Sequence, residues 1–250
     1  MESLFWANGS RNQRYMHTEF ESLGQTTDKV LHHGYQRFYP LELEALRNKK
    51  IGMFEIGISP TNSLLLWKDY FPTAHVYGID VNCSYSDDRC TIFQCDQTDP
   101  SALRSVAERL NREFPILFIN DDGTHIPEHQ ISTFDYFFRD VLQPGGVYII
   151  EDVETSYWKR GACYGYQTQY GLRHDKSVIE RFKLIVDYLN REFMTESDRR
   201  RIAEETSFLS EGTKSEISSV RFAHNCIIIR KKFEYEHAYD DRQYRFQHFV

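Results

Sequence analysis

Six acidic residues stand at or near the ends of apolar runs that are otherwise almost free of charge: Glu55, Asp80, Asp96, Asp122, Glu151 and Asp152. One acid at a strand end only marks where the chain meets water. A series of them implies a shared ligand, because open parallel sheets bind ligands beyond the carboxyl ends of their strands, where the strand order reverses. Glu55-Ile56-Gly57 ends the first run, with a glycine that lets backbone approach a ligand closely. Asp80 ends the second, where an acid can accept both hydroxyls of a ribose. Those two fit either NAD or S-adenosylmethionine. Gly57 is followed by Ile58-Ser59-Pro60-Thr61-Asn62 rather than by a GxGxxG pattern, so a pyrophosphate would lack its glycine cradle. S-adenosylmethionine has no phosphates and carries a sulfonium cation, which suits an acid-lined cleft. Asp96 and Gln97 fall where the adenine would lie.

The second constellation is Asp121-Asp122-Gly123-Thr124-His125 together with Glu151-Asp152. Adjacent strands lie about 4.8 Å apart, so carboxylates at neighbouring strand ends can converge. Asp122, Glu151 and Asp152 make a hard oxygen set, without cysteine or several histidines, that favours Mg²⁺ (or Mn²⁺) over Zn²⁺. Consecutive strand residues point to opposite faces, so Glu151 and Asp152 can share a cation only if the chain is leaving the strand there. His125, three residues past Asp122, is placed to act beside the metal as a general base, and an imidazole pKa of about 6.5 suits that task near neutral pH. His129 reads as a helix-surface residue and not a ligand. His32 and His33 fall on a short helical stretch.

These residues need a sheet to hold them. Residues 51–58, 75–81, 91–96, 115–122 and 147–153 read as short continuous apolar strands of the kind covered on both faces. Helical patterns occupy 63–70, 101–114 and 127–142, the last stopped by Pro144-Gly145-Gly146. Residues 157–171 read as a long loop and about 176–193 as a helix. Residues 217–222 and 226–231 read as two strands joined by Ala223-His224-Asn225. The expected fold is α/β and Rossmann-like, a parallel sheet with helices on both faces and a C-terminal antiparallel hairpin, which is the class I methyltransferase layout. The division expected is residues 1–40 as an N-terminal segment, 41–232 as the catalytic domain and 233–250 as a tail.

Composition agrees. The 250 residues suit one domain with additions, and 40% hydrophobic with 15% aromatic content supports a sizeable core. A net charge of -7 argues against nucleic acid, and Arg199-Arg200-Arg201 reads as a solvated helix face. No apolar run approaches the roughly 20 residues needed to cross a bilayer, and no signal-peptide pattern is visible, so no membrane partner is expected. Five cysteines, odd in number and without a CxxC pair, fit a reduced, cytoplasmic setting. Homo-oligomerisation is left open.

The runs DDGTHIPEH (121–129), LQPGGVYIIEDVETSYW (142–158), CDQTD (95–99) and TDKVLHHGYQRFY (27–39) resemble those of the metal-dependent deoxysugar O-methyltransferases of the mycinamicin and macrocin type. The resemblance spans roughly residues 27–231. It implies a methyl transfer from S-adenosylmethionine to a sugar hydroxyl, rhamnose for example, on a glycan or a glycosylated natural product. It implies Asp122, Glu151 and Asp152 on Mg²⁺ and His125 as base. Glu55, Gly57, Asp80, Asp96, Gln97 and Asp121 would serve the cofactor. The segment carrying Thr27, Lys29 and Tyr35 would close over that cofactor as a lid. Tyr157 and Trp158, just past the metal acids, would stack on the acceptor sugar. The departure from the family is the stretch 58–62, which replaces its glycine-rich continuation. The alternatives are a catechol or other phenol as acceptor, or a non-catalytic binding domain.

Overall fold

Side chains on a strand alternate between faces, and here the alternation sorts the molecule into two cores. The computed structural model describes residues 16–58, 62–110 and 113–239. Ser59, Pro60 and Thr61, and the outer parts of both terminal segments (1–15 and 240–250), lie outside the described residues. Strands β1 Gly52–Ile56, β2 His75–Asp80, β3 Tyr85–Ser86, β4 Cys90–Gln94, β5 Ile116–Asp121, β6 Val147–Glu151, β9 Ile217–Ala223 and β10 Cys226–Lys231 form one sheet of order β3-β4-β2-β1-β5-β6-β10-β9. Strands β4, β2, β1, β5 and β6 run parallel, and β10 and β9 add the antiparallel end. Short β3 pairs antiparallel with β4 at the far edge. A separate two-stranded hairpin, β7 Gly161–Cys163 and β8 Tyr166–Thr168, stands in the stretch expected as loop.

On one face Phe54, Ile79, Ile119, Tyr148 and Ile150 pack under helices Pro127–Asp140 and Val178–Leu189. On the other, Met53, Val76, Phe118 and Ile149 pack under helix Asn62–Tyr70 and the N-terminal segment. Each fully buried aliphatic or Phe side chain among them contributes about 1.5–3 kcal/mol. Trp67, expected in the core, is fully buried. The outward path β1→β2→β4, followed by the return to β5 and β6, puts the switch point between β1 and β5. This is the class I methyltransferase arrangement read from the sequence.

Two helices are bounded differently from the pattern. The helix expected over 101–114 is Pro100–Ala107, started by the Asp99 carboxylate accepting from the Ser101 and Ala102 amides. The helix expected over 176–193 is Val178–Leu189, capped by Ser177 and followed by a 3-10 turn at Arg191–Phe193. Helix Glu196–Glu205 carries the three arginines, where Arg200 pairs with Glu196 and Arg201 with Asp198 and Glu205. They form the exposed, ion-paired face expected.

The N-terminal segment is part of the second core. Val30, Tyr35 and Tyr39 are buried, and Tyr35, Tyr39 and Trp67 stack in sequence with ring centroids 5.1 and 6.2 Å apart. Helix Tyr39–Leu43 runs across residue 40 into the sheet domain. Among the described residues no helix is long and apolar enough to cross a membrane.

Candidate active site

A cleft of about 560 Å³ opens beyond the carboxyl ends of β1, β2, β4 and β5, at the switch point. Gly57, Asp80, Asp96, Gln97 and Asp122 line it. Gly57 has φ +83°, and a Cβ there would meet the Asp122 carbonyl oxygen at 2.3 Å. Glycine is what lets the β1 and β5 loops approach. A Cβ at Gly123 would lie 2.0 Å from Gln97 Oε1, and that oxygen accepts from the Thr124 amide at 2.8 Å. Gln97 Nε2 is buried with no partner among the described residues, so it is a donor left for a ligand. The Asp80 and Asp96 carboxylates accept from the Asn82 and Thr98 amides, 2.7 and 2.8 Å, which fixes both at the cleft rim.

Beside the cleft lies a dense charge cluster. The Lys29 ammonium, fully buried, reaches Asp122 Oδ2 at 2.5 Å, Glu151 Oε2 at 2.8 Å and Glu55 Oε1 at 3.2 Å. Burial alone would lower its pKa. Asp122, Glu151 and Glu55 outweigh that and hold it well above the ordinary lysine value, so the ammonium stays charged. Glu55 also accepts from Ser63 Oγ at 2.7 Å and Asn120 Nδ2 at 3.1 Å. Glu151 Oε1 accepts from the Tyr39 hydroxyl. Three carboxylates thus surround one lysine, and the cluster is short of positive charge.

Three donor atoms answer that shortage. Asp122 Oδ2 is held by Lys29, while Oδ1 lies 3.9 Å from His125 Nε2. Asp152 Oδ1 accepts from Tyr35 at 2.7 Å and Asn225 at 3.0 Å, while Oδ2 lies 3.7 Å from His125 Nε2. Each carboxylate is anchored by one oxygen and presents the other to a common point, and ligand atoms of Asp122, His125 and Asp152 all lie within 4.8 Å of one another. The two free carboxylate oxygens fit a hard divalent cation, with the imidazole Nε2 beside them. Glu151 is outside that group because both its oxygens are engaged.

Two of the three adopt left-handed backbone, His125 with φ 58° and Asp152 with φ 51°. For non-glycine residues this costs about 1–3 kcal/mol each and persists only where surroundings enforce it. Thr155 Oγ1 donates to the His125 carbonyl at 2.6 Å, and Pro127 starts a helix just beyond. The Tyr35 hydroxyl accepts from the Asp152 amide at 3.2 Å. The left turn at Asp152 takes the chain off β6 and aims its Oδ2 at His125, while Glu151 stays bonded to Lys29 and Tyr39. His125 is buried, and desolvation holds its pKa below the ordinary value despite the Asp152 charge. Its Nδ1 has no hydrogen-bond partner among the described residues.

Other expected site residues lie elsewhere. Asp121 is fully buried, with Thr133 and Tyr148 donating to its Oδ2 at 2.7 and 2.9 Å. Alternation on β5 turns it to the face opposite Asp122. Burial, against those two hydrogen bonds, raises its pKa to about 6. Thr27 caps helix Asp28–Leu31 by accepting from the Lys29 amide. Lys29 and Tyr35 meet the carboxylates rather than the adenosyl cleft. Tyr157 is half-exposed and, like Trp158, does not line the cleft; the Trp158 ring lies against Gly161 at the base of the β7–β8 hairpin. Sequence reasoning missed Tyr39, Ser63, Asn120, Asn225 and Tyr164. His33 stacks on Tyr35 and lies 3.3 Å from Asp152. Asn225, with φ 59° in the β9–β10 turn, carried a signal: an asparagine at a hairpin tip adopts left-handed backbone readily. His129 is bonded to Thr124.

Fold and cleft together define a class I methyltransferase architecture, and comparison with known proteins narrows the kind. No family model matches the chain. The 8-demethyl-8-alpha-L-rhamnosyl tetracenomycin-C 2'-O-methyltransferase of Streptomyces olivaceus is 34% identical over 55% of this chain, covering 38% of its own length. Demethylmacrocin O-methyltransferase of Streptomyces fradiae is 32% identical over 67% of this chain and 43% of its own. MycE methyltransferase of the mycinamycin biosynthetic pathway, solved in complex with Mg and SAH, superposes with a TM-score of 0.70 at 25% identity. That superposition covers 87% of this chain and 55% of MycE. The chain therefore spans about two fifths of the length of the curated relatives it matches. These proteins are sugar and macrolide O-methyltransferases, the group its motifs resemble.

Proposed function

We propose that this protein transfers a methyl group from S-adenosylmethionine to a hydroxyl of a deoxysugar such as rhamnose, with Mg²⁺. The carrying observation is the convergence of Asp122 Oδ1, Asp152 Oδ2 and His125 Nε2 at the mouth of the acid-lined cleft. The sugar O-methyltransferase names of the relatives support the reading. Asp80, Asp96 and Gln97 bind the nucleoside end, and the unpaired Gln97 Nε2 donates to it. Asp122 and Asp152 hold the cation, with Glu151 and Lys29 tuning the charge behind them. The bound groups supply an electrophilic methyl on a sulfonium sulfur and a Lewis acid that acidifies and orients an alcohol. His125, kept neutral by burial, would take the hydroxyl proton at Nε2 while the methyl passes from sulfur to that oxygen, so that the S–CH₃ bond breaks and S-adenosylhomocysteine is the leaving group. Turnover of methyl α-L-rhamnopyranoside and glycosylated tetracenomycin acceptors should vanish in EDTA and return with Mg²⁺ or Mn²⁺. Undiminished turnover in chelator overturns the metal assignment.

A further inference from the structure

The β7–β8 hairpin presents an aromatic ring whose position the chemistry above does not use. Cys163 pairs with Tyr166, so Tyr164 and Gly165 are the two turn residues, with φ 48° and 87°. Two successive positive φ values define the tight hairpin turn that matches strand twist. A Cβ at Gly165 would meet nothing within 4 Å, so glycine is needed there for conformation alone. The hairpin is fixed at both ends. Gly161 sits against the Trp158 ring, and the Tyr166 ring meets His129 edge-on at 4.8 Å. Its tip is thereby held over the cleft, where Tyr164 and Tyr166 form part of the wall. Tyr164 is 74% exposed, yet its ring centroid lies 5.6 Å from that of His125.

Asp80, Asp96 and Gln97 mark one end of the cleft, and Asp122, His125 and Asp152 mark the reacting hydroxyl. The body of the molecule bearing that hydroxyl must then lie against Tyr164. We propose that Tyr164 is an acceptor platform, stacking on the C–H face of a pyranose ring whose hydroxyl is directed to His125. A tyrosine offers a flat apolar body with a polar tip, which matches a ring with apolar faces and polar edges. A single open ring suits a partly solvated sugar better than a planar phenol, which calls for an enclosed apolar slot.

The inference rests on the sugar reading above, and its test separates the two. In the SAH-loaded protein, saturation-transfer NMR with methyl α-L-rhamnopyranoside should show transfer to the ring C–H protons. Tyr164→Ala should weaken that transfer several-fold and Tyr164→Phe should keep it. Under turnover, Y164A should raise KM for the rhamnoside about five- to tenfold, leaving kcat and calorimetric SAH affinity little changed. Binding without methylation by the wild type leaves the platform standing and overturns the proposed function. Three results overturn the platform: no rhamnoside binding by the wild type, unchanged KM in Y164A, or a matching loss of SAH affinity. Weaker binding of catechol but not of rhamnoside by Y164A overturns it too.

Discussion

At the residue scale the site turns on His125 with Asp122 and Asp152, and the core beneath it on Asp121. An aliphatic hydroxyl is a weak acid, and a positioned base typically adds about 10²–10⁴-fold beyond the metal's contribution. His125→Ala should lower methyl transfer by that range, and because Nε2 lies 3.7–3.9 Å from both aspartates, metal affinity reports its role separately. A base leaves Mn²⁺ binding, read by electron paramagnetic resonance, nearly unchanged. A parallel loss of Mn²⁺ would make it a ligand and remove it as the base. Since burial lowers its pKa, the acid limb of the wild-type rate should fall below pH 6.5. Asp121 gives a stability prediction of opposite sign. Its folded pKa, raised to about 6, exceeds the unfolded value of about 3.9, so the folded state holds the proton longer. Stability therefore declines as pH rises between those values, and the penalty is complete above them. Asp121→Asn lacks this term. Urea denaturation should show its stability gaining on the wild type by a few kcal/mol (about 1.36 per pKa unit) between pH 4 and pH 7. A constant gap across that range would refute the buried ionisation.

At the element scale the N-terminal segment acts through one lysine. Aromatic stacking seats the segment on the sheet and delivers Lys29 among Glu55, Asp122 and Glu151. Removing one partner of a buried ionic cluster typically costs about 3–5 kcal/mol, because the remaining charges stay buried and uncompensated. Lys29→Met should destabilise the fold by about that amount in chelator. Added Mg²⁺ should then raise the Tm of the variant more than that of the wild type, since a cation binding the native state stabilises by mass action. Equal Mg²⁺ shifts for both proteins would show that lysine and metal do not share the carboxylates. This coupling was invisible in the sequence. The parallel strands and the acids at their ends were legible, because buried strands read as apolar runs and charges stand out on them. What could not be read was which residues from 27–39 reach across the sheet, because those contacts join positions 93 to 122 residues apart. Nor could the β7–β8 hairpin be read from a Gly/Tyr-rich stretch without alternating hydrophobicity. Asp121 was placed beside the cofactor because adjacency in sequence hid the alternation that turns it away.

At the scale of the whole molecule, net charge and cleft lining decide which nucleotide the fold accepts. Rossmann-like sheets serve both dinucleotides and S-adenosylmethionine at the same switch point, so fold alone does not choose. The chain carries -7 overall, and Asp80, Asp96 and Asp122 face the cleft beyond a β1 turn without a glycine phosphate cradle. A pyrophosphate placed there meets carboxylates where backbone amides would be needed, and like charges across a low-dielectric cleft repel strongly. A sulfonium cation in the same place is attracted. Calorimetry should therefore show SAH, which keeps the adenosyl contacts, binding at least about tenfold more tightly than NAD, a difference of about 1.4 kcal/mol or more. S-adenosylmethionine should show a further gain that shrinks as salt is raised, because screening weakens its charge term. Asp80→Ala should weaken SAH by about 1.5–3 kcal/mol, the usual worth of hydrogen bonds to a charged group, while leaving Mn²⁺ affinity intact, since Asp80 is not among the converging metal donors. Equal or tighter binding of NAD by the wild type would mean that the acids do not face the nucleotide, and the methyl-transfer reading would fall with them.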